Sequence, residues 1–180
     1  MEAIVESVSM NPEHTFSKQR KSSIRLIKDV GVEGDAHSGA HVQHLSGKKA
    51  DPAKPNLRQV HLINAEMLDG LAKAGYTVQA GDLGENITVR GADLFNLPSG
   101  TVLKLGPDAV IRLTGLRDSC YQIDRFMKGV RALVTTKDEH GKHTGRCGVM
   151  AVVTEGGEVK AGDRIQIILP PEPHLALQMV

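Results

Sequence analysis

The chain contains no tryptophan, and only three phenylalanines and two tyrosines occur among its 180 residues. So few rings leave Val, Ile, Leu, Met and Ala to build the core, and they remove the stacking platform on which single-stranded nucleic acids are held. Charge of either sign is equally lacking in excess: 22 Lys and Arg against 21 Asp and Glu give +1. A general nucleic-acid binder would carry a clear basic surplus. The basic stretch Lys18 to Lys28, with Arg20, Lys21 and Arg25, reads as the solvated face of a strand. Two cysteines are too few for a disulfide scaffold, and a chain of this length can bury roughly 70% of its unfolded surface without one. No apolar run approaches the ~20 residues of a membrane helix, and Met1-Glu2-Ala3 carries an acid where a signal peptide has Lys or Arg. The expectation is one domain, residues 1–180, in the reducing cytoplasm, with neither nucleic acid nor membrane as partner.

Turn formers, by contrast, are plentiful, with 19 Gly and 8 Pro. Between them short apolar stretches alternate with polar residues, the period of half-buried strands. Strands are expected at 3–8, 23–30, 58–63, 87–89, 102–105, 109–113, 148–154 and 164–169. Asn64 is placed to cap a helix through Leu71 and Ala72, with Gly75 stopping it. The spacing of Ile123, Phe126, Met127, Val130, Leu133 and Val134 predicts a second helix over 121–134. Residues 30–55 and 137–146 read as loops, and the Pro-rich tail 170–180 as lying over the surface. Many short strands with one or two helices favour a barrel or a sandwich over a doubly wound sheet.

Chemistry concentrates at few positions. Cys120 follows an expected strand and opens an expected helix, with Arg117 close in sequence; the helix dipole and the guanidinium would both favour its thiolate. That is the setting of a nucleophile or a soft-metal ligand, although a buried cysteine that merely packs is an equal reading. Cys147, heading into a strand, reads as packing. Asp35, His37, His41 and His44 offer nitrogen and oxygen ligands for zinc or iron, but Gly39 and Gly47 interrupt any shared helical face, so loop histidines or one histidine on an anion are favoured. Gly81-Asp82-Leu83-Gly84-Glu85-Asn86 is a turn that can offer backbone N–H groups to an anion. No Gly-x-Ser-x-Gly elbow supports a serine hydrolase.

Taken in order, Gly31-Val32-Glu33-Gly34-Asp35-Ala36-His37-Ser38-Gly39, Arg58-Gln59-Val60-His61-Leu62 with Glu66, Gly81 to Val89, Leu97-Pro98-Ser99-Gly100, Cys120 and Gly157-x-Val159-x-x-Gly162-Asp163 resemble the MOSC domain, named for the carboxy-terminal domain of molybdenum cofactor sulfurase. The Gly-Asp-Leu-Gly-Glu-Asn-Ile-Thr-Val segment is the most specific part, and the Pro-rich tail resembles stand-alone bacterial members. The resemblance implies a mainly β fold, a pyruvate-kinase-like barrel with one or two short helices. It also implies that Cys120 either ligates molybdenum in a pterin cofactor or carries sulfur as a persulfide. Members often have Pro before this cysteine, where this chain has Ser119. Asp35, His37, Arg58, Gly84, Glu85, Asn86 and Arg117 are the residues assigned to hold the cofactor. Pyridoxal phosphate enters only through a partner cysteine desulfurase.

Three functions follow as expectations. The first is a molybdenum-cofactor protein that reduces N-hydroxylated small molecules, alone or with a redox partner. A persulfide carrier without metal is the second, and a non-catalytic barrel that binds an anion or a partner is the third.

Overall fold

β-branched residues with alternating burial produce most of the strands. In the computed structural model, which describes residues 2–43, 51, 53–118, 121–137, 143–145 and 147–180, Ala109, Ile111, Leu113 and Gly115 point inward while the residues between them face outward. The strands are β1 (Ile4–Met10), β2 (Gln19–Lys21), β3 (Ser23–Ile27), β4 (Gly31–Val32), β5 (Val60–Asn64), β6 (Ile87–Arg90), β7 (Val102–Leu105), β8 (Ala109–Leu116), β9 (Thr135–Lys137), β10 (His143–Gly145), β11 (Val149–Glu155), β12 (Gly157–Lys160) and β13 (Ile165–Ile168). One mixed sheet runs β13-β7-β8-β11-β5-β6-β1-β2, a smaller one β12-β3-β4, and β9 pairs with β10. The fold is mainly β, as expected. At the far side of the large sheet Ile4 bridges Arg164, and Val5 N donates to Asp163 O at 2.8 Å.

The pair β5 and β6 is parallel, and the crossover between its strands contains the helix α1 (Ala65–Lys73). This single strand-helix-strand unit explains why every residue of β5 is buried. Val60 and Leu62 join the main core with Val5, Val8, Ile87, Leu103, Ile111 and Val149. Ile63, on the opposite face, packs into a second cluster with Leu71, Leu83, Ile123, Val130 and Cys147. Each such fully buried aliphatic side chain contributes roughly 1.5–3 kcal/mol. His61 shares the face of Ile63, and that face carries the site.

The expected helix 121–134 is broken. It forms α2 (Gln122–Phe126) and α3 (Val130–Leu133), because Gly129 takes a left-handed φ of 94° and a Cβ there would meet the Tyr76 hydroxyl at 2.5 Å. Asn64 does occupy the cap position of α1, but its side chain donates to Ala92 O instead of capping. Residues expected as loops supply short strands: β4 within 30–55, and β9 with β10 around 137–146. Strand β12 was hidden by its opening glycine. The tail crosses the surface, mostly exposed, with Leu177 buried in the main core. No helix among the described residues is long and apolar enough to cross a membrane.

Candidate functional site

A cavity of about 500 Å³ opens where the ends of β2, β5, β6 and β8 meet the loop after β4 and the helices α2 and α3. Its size suits a small-molecule site. Five of the residues assigned from sequence line it together: His37, Arg58, Gly84, Asn86 and Arg117. Lys18, His61 and Arg131 add to the wall, and Asp118 is the one acid among the described lining residues.

Beneath the wall lies a buried charge hub. Asp35, expected as a ligand-binding residue, accepts Lys18 Nζ at 2.5 Å, Asn86 Nδ2 at 3.1 Å and Asn11 N at 3.2 Å on Oδ2. Its Oδ1 accepts His37 N at 3.0 Å and lies 3.4 Å from His37 Nδ1. Burial alone would raise this carboxyl, yet the His37 hydrogen bond and the Lys18 charge outweigh it and hold Asp35 well below the usual carboxylate range. Burial pulls the Lys18 ammonium down from its ordinary value, against the attraction of Asp35. Lys18 therefore departs from the solvated basic face on which it was expected. Gln19 to Lys21, Arg25 and Lys28 are exposed as that reading has it, but Lys18 is buried because its partner arrives from the loop after β4.

The turn at Gly81 to Asn86 does a different job from the one expected. Its N–H groups are used inside the protein: Gly81 N donates to Glu85 Oε1 at 2.5 Å, Asp82 N to Gln79 O, Gly84 N to Gly81 O, and Asn86 N to His61 O. These four donors are already satisfied within the protein. What the turn offers is a carbonyl, Leu83 O, which accepts Arg117 Nη1 at 2.7 Å and steadies the guanidinium 5.9 Å above the Phe16 ring. Gly84 needs its φ of 82°, and a Cβ there would lie 2.5 Å from Phe16 O. Glu85 turns its side chain inward, accepting Thr88 Oγ1 at 3.1 Å. Burial raises its carboxyl, and Oε2 has no partner among the described residues.

His61 and Cys147 complete the floor. His61 Nε2 lies 3.1 Å from Cys147 O, and burial followed by the nearby Arg117 charge holds the imidazole well below its ordinary value. Gly148 makes room for it, since a Cβ there would stand 1.9 Å from Nε2. Cys147 is buried, donates from Sγ to Arg117 O at 3.2 Å, and has its thiol pushed up by burial, so it packs as expected. Cys120 lies outside the described residues, as does His44; Asp118 and Tyr121, on either side of the 119–120 pair, both line the cavity. Exposed His41 pairs through its backbone with Pro55. Among the described residues no group of three or more His, Cys, Asp or Glu could hold a metal ion.

Sequence reasoning missed Lys18, Arg131 and Asn56. Asn56 donates from Nδ2 to His37 O at 3.1 Å and Gly39 O at 2.9 Å, shaping the His37 loop. Asn56 opens an Asn-x-Arg segment that could have flagged it, since its Oδ1 accepts Arg58 N at 3.0 Å in a local turn.

The fold has solved relatives. The YUAD protein from Bacillus subtilis superimposes with a TM-score of 0.75 at 23% identity, over 95% of this chain and 98% of its own. YiiM from Escherichia coli gives 0.63 at 18% identity, over 97% of this chain and 73% of its own. A Gibberella moniliformis protein named "Reductase" is 30% identical over 93 residues, which are 52% of this chain and 16% of that much longer protein. Residues 33–166, well over half of the sequence and including all the cavity-lining residues assigned above, match the MOSC domain, and the chain belongs to that family.

Proposed function

We propose that this protein binds a molybdenum–pterin cofactor in the cavity, with Cys120 as its thiolate ligand, and reduces N-hydroxylated small molecules. The observation that carries the reading is the convergence of Arg58, Arg117 and Arg131 on one cavity in which Asp118 is the single acid among the described lining residues. Such a set suits a phosphate-bearing ligand, because Arg forms paired charge-assisted bonds to oxyanions. Arg58, Arg117 and Arg131 would hold the phosphate, Phe16 and Tyr121 would flank the ring system, and Cys120 would bind the metal. When bound, the cofactor supplies two-electron redox chemistry. Arg117 is held in place before any ligand arrives, by Leu83 O and by Phe16, which lowers the ordering cost of binding. The bridge of Ile4 to Arg164 supports reading the large sheet as the family's barrel. The fungal relative's name agrees with a reductase.

Metal and pterin analysis of protein made in a cofactor-competent, molybdenum-replete host tests the reading. Near-stoichiometric molybdenum that drops in Cys120→Ala supports it; trace molybdenum unchanged by that substitution overturns it. A second reading, a persulfide carrier fed by a cysteine desulfurase, draws on the same cations, which also favour a thiolate. It predicts one added sulfur in the intact mass after desulfurase treatment, lost in Cys120→Ala and kept in Cys147→Ala.

A further inference from the structure

We infer that His37 is the acid–base group of the cavity, with Asp35 as the residue that positions it. The inference takes its reaction from the reductase reading above, while its geometry is independent of that reading.

His37 belongs to the cavity wall and keeps a third of its side chain exposed, whereas Asp35 is almost wholly buried. Both the main-chain N and the ring Nδ1 of His37 address the same oxygen, Asp35 Oδ1, at 3.0 and 3.4 Å. The other oxygen is fixed by Lys18, Asn86 and Asn11, so the carboxylate cannot swing away from the ring. Asn56 holds His37 O, and the His14 ring meets the imidazole edge-on at 5.3 Å. The His37 hydrogen bond and the Lys18 charge together keep Asp35 ionised while it faces the imidazole. A carboxylate facing Nδ1 selects the Nδ1–H tautomer, leaving Nε2 as the nitrogen directed away from Asp35. The charged and titratable groups that touch the ring or share its cavity are Asp35, His14, Lys18, His61, Arg58, Arg117, Asp118, Tyr121 and Arg131.

The step this permits is proton delivery to a departing oxygen. In R–NH–OH the N–O bond breaks, and the oxygen takes the Nε2 proton and leaves as water. The nitrogen accepts two electrons from an external reductant of the flavin or iron–sulfur class and a proton from solvent, giving R–NH2. Neutral His37 then regains its proton from solvent.

Two measurements decide it. In cofactor-free protein, ¹⁵N spectra of the histidine side chains should show His37 as the Nδ1–H tautomer when neutral, with tautomer exchange restored in Asp35→Asn. An Nε2–H tautomer in the wild type overturns the inference whatever the protein's reaction. Should Asp35→Asn not fold, His37→Gln, at a partly exposed position, carries the second test: kcat expressed per bound molybdenum should fall by roughly 100-fold, with KM within about twofold of wild type. A kcat within about threefold of wild type overturns the inference. A wild type with the expected tautomer but no reductase turnover refutes the reductase reading and supports His37 as the acid–base group of another reaction.

Discussion

Lys18 meets Asp35 at 2.5 Å with 5% and 2% of their side chains exposed. Arg90 meets Glu6 at 3.1 Å and Asp69 at 2.8 Å with a third to a half of each side chain in solvent. The surface set ties β1, β6 and α1 together, and water and salt screen it. The buried pair is of another kind. Removing two charges from water costs several kcal/mol per ion, and an apolar pair of similar volume would often serve stability as well. A pair kept under that penalty, beside a cationic cavity and against His37, is better explained by what it aims than by what it holds together. The difference teaches where to look for function in this chain: at charges whose burial stability alone does not explain.

The comparison can be broken by substitution. Asp35→Asn should cost about 3–5 kcal/mol in urea unfolding, because it strands a buried ammonium, and Lys18→Met in the same chain should recover part of that loss. A cost below about 1 kcal/mol would make the two ion pairs equivalent. The pH dependence has a definite sign. Asp35 is held below its unfolded value, so its contribution is present above the usual carboxylate range and is lost as pH falls toward its folded value.

Gly84→Ala should cost about 1–3 kcal/mol, since it forces a left-handed φ on a residue whose Cβ meets Phe16 O; an unchanged urea midpoint would contradict it. Glu85 behaves oppositely to Asp35. Its folded value is raised, so the native state loses stability as pH rises from the ordinary glutamic acid range through that value. Glu85→Gln should therefore gain on wild type from pH 4 to pH 8, read as melting temperature, and a constant difference would refute the buried acid. The smallest effect belongs to Arg90→Met, for which no resolvable change in urea midpoint is expected at physiological salt.

How much of this was legible beforehand differs by element. Strands β7 and β8 follow from alternation and a Gly-Pro-Asp turn, and the cavity residues from motifs whose glycines and polar side chains are local. Lys18 was invisible because nothing near it in sequence differs from its exposed neighbours; only the loop bearing Asp35, 17 residues on, buries it. The helical spacing over 121–134 was real, but Gly129 packed against Tyr76 outranks periodicity. The Gly81 turn showed its shape and concealed its chemistry, since the partner of its first N–H is Glu85, a side chain whose inward direction is set by the fold.

The central claim is that the buried cationic cavity, and not the charged surface, holds the cofactor. Molybdenum and pterin that co-purify with Arg117→Met, compared with Arg90→Met, test it most directly. Loss of roughly tenfold or more in Arg117→Met, the worth of one charge-assisted bond, with wild-type content in Arg90→Met, is the predicted result. Equal content in the two variants would contradict it.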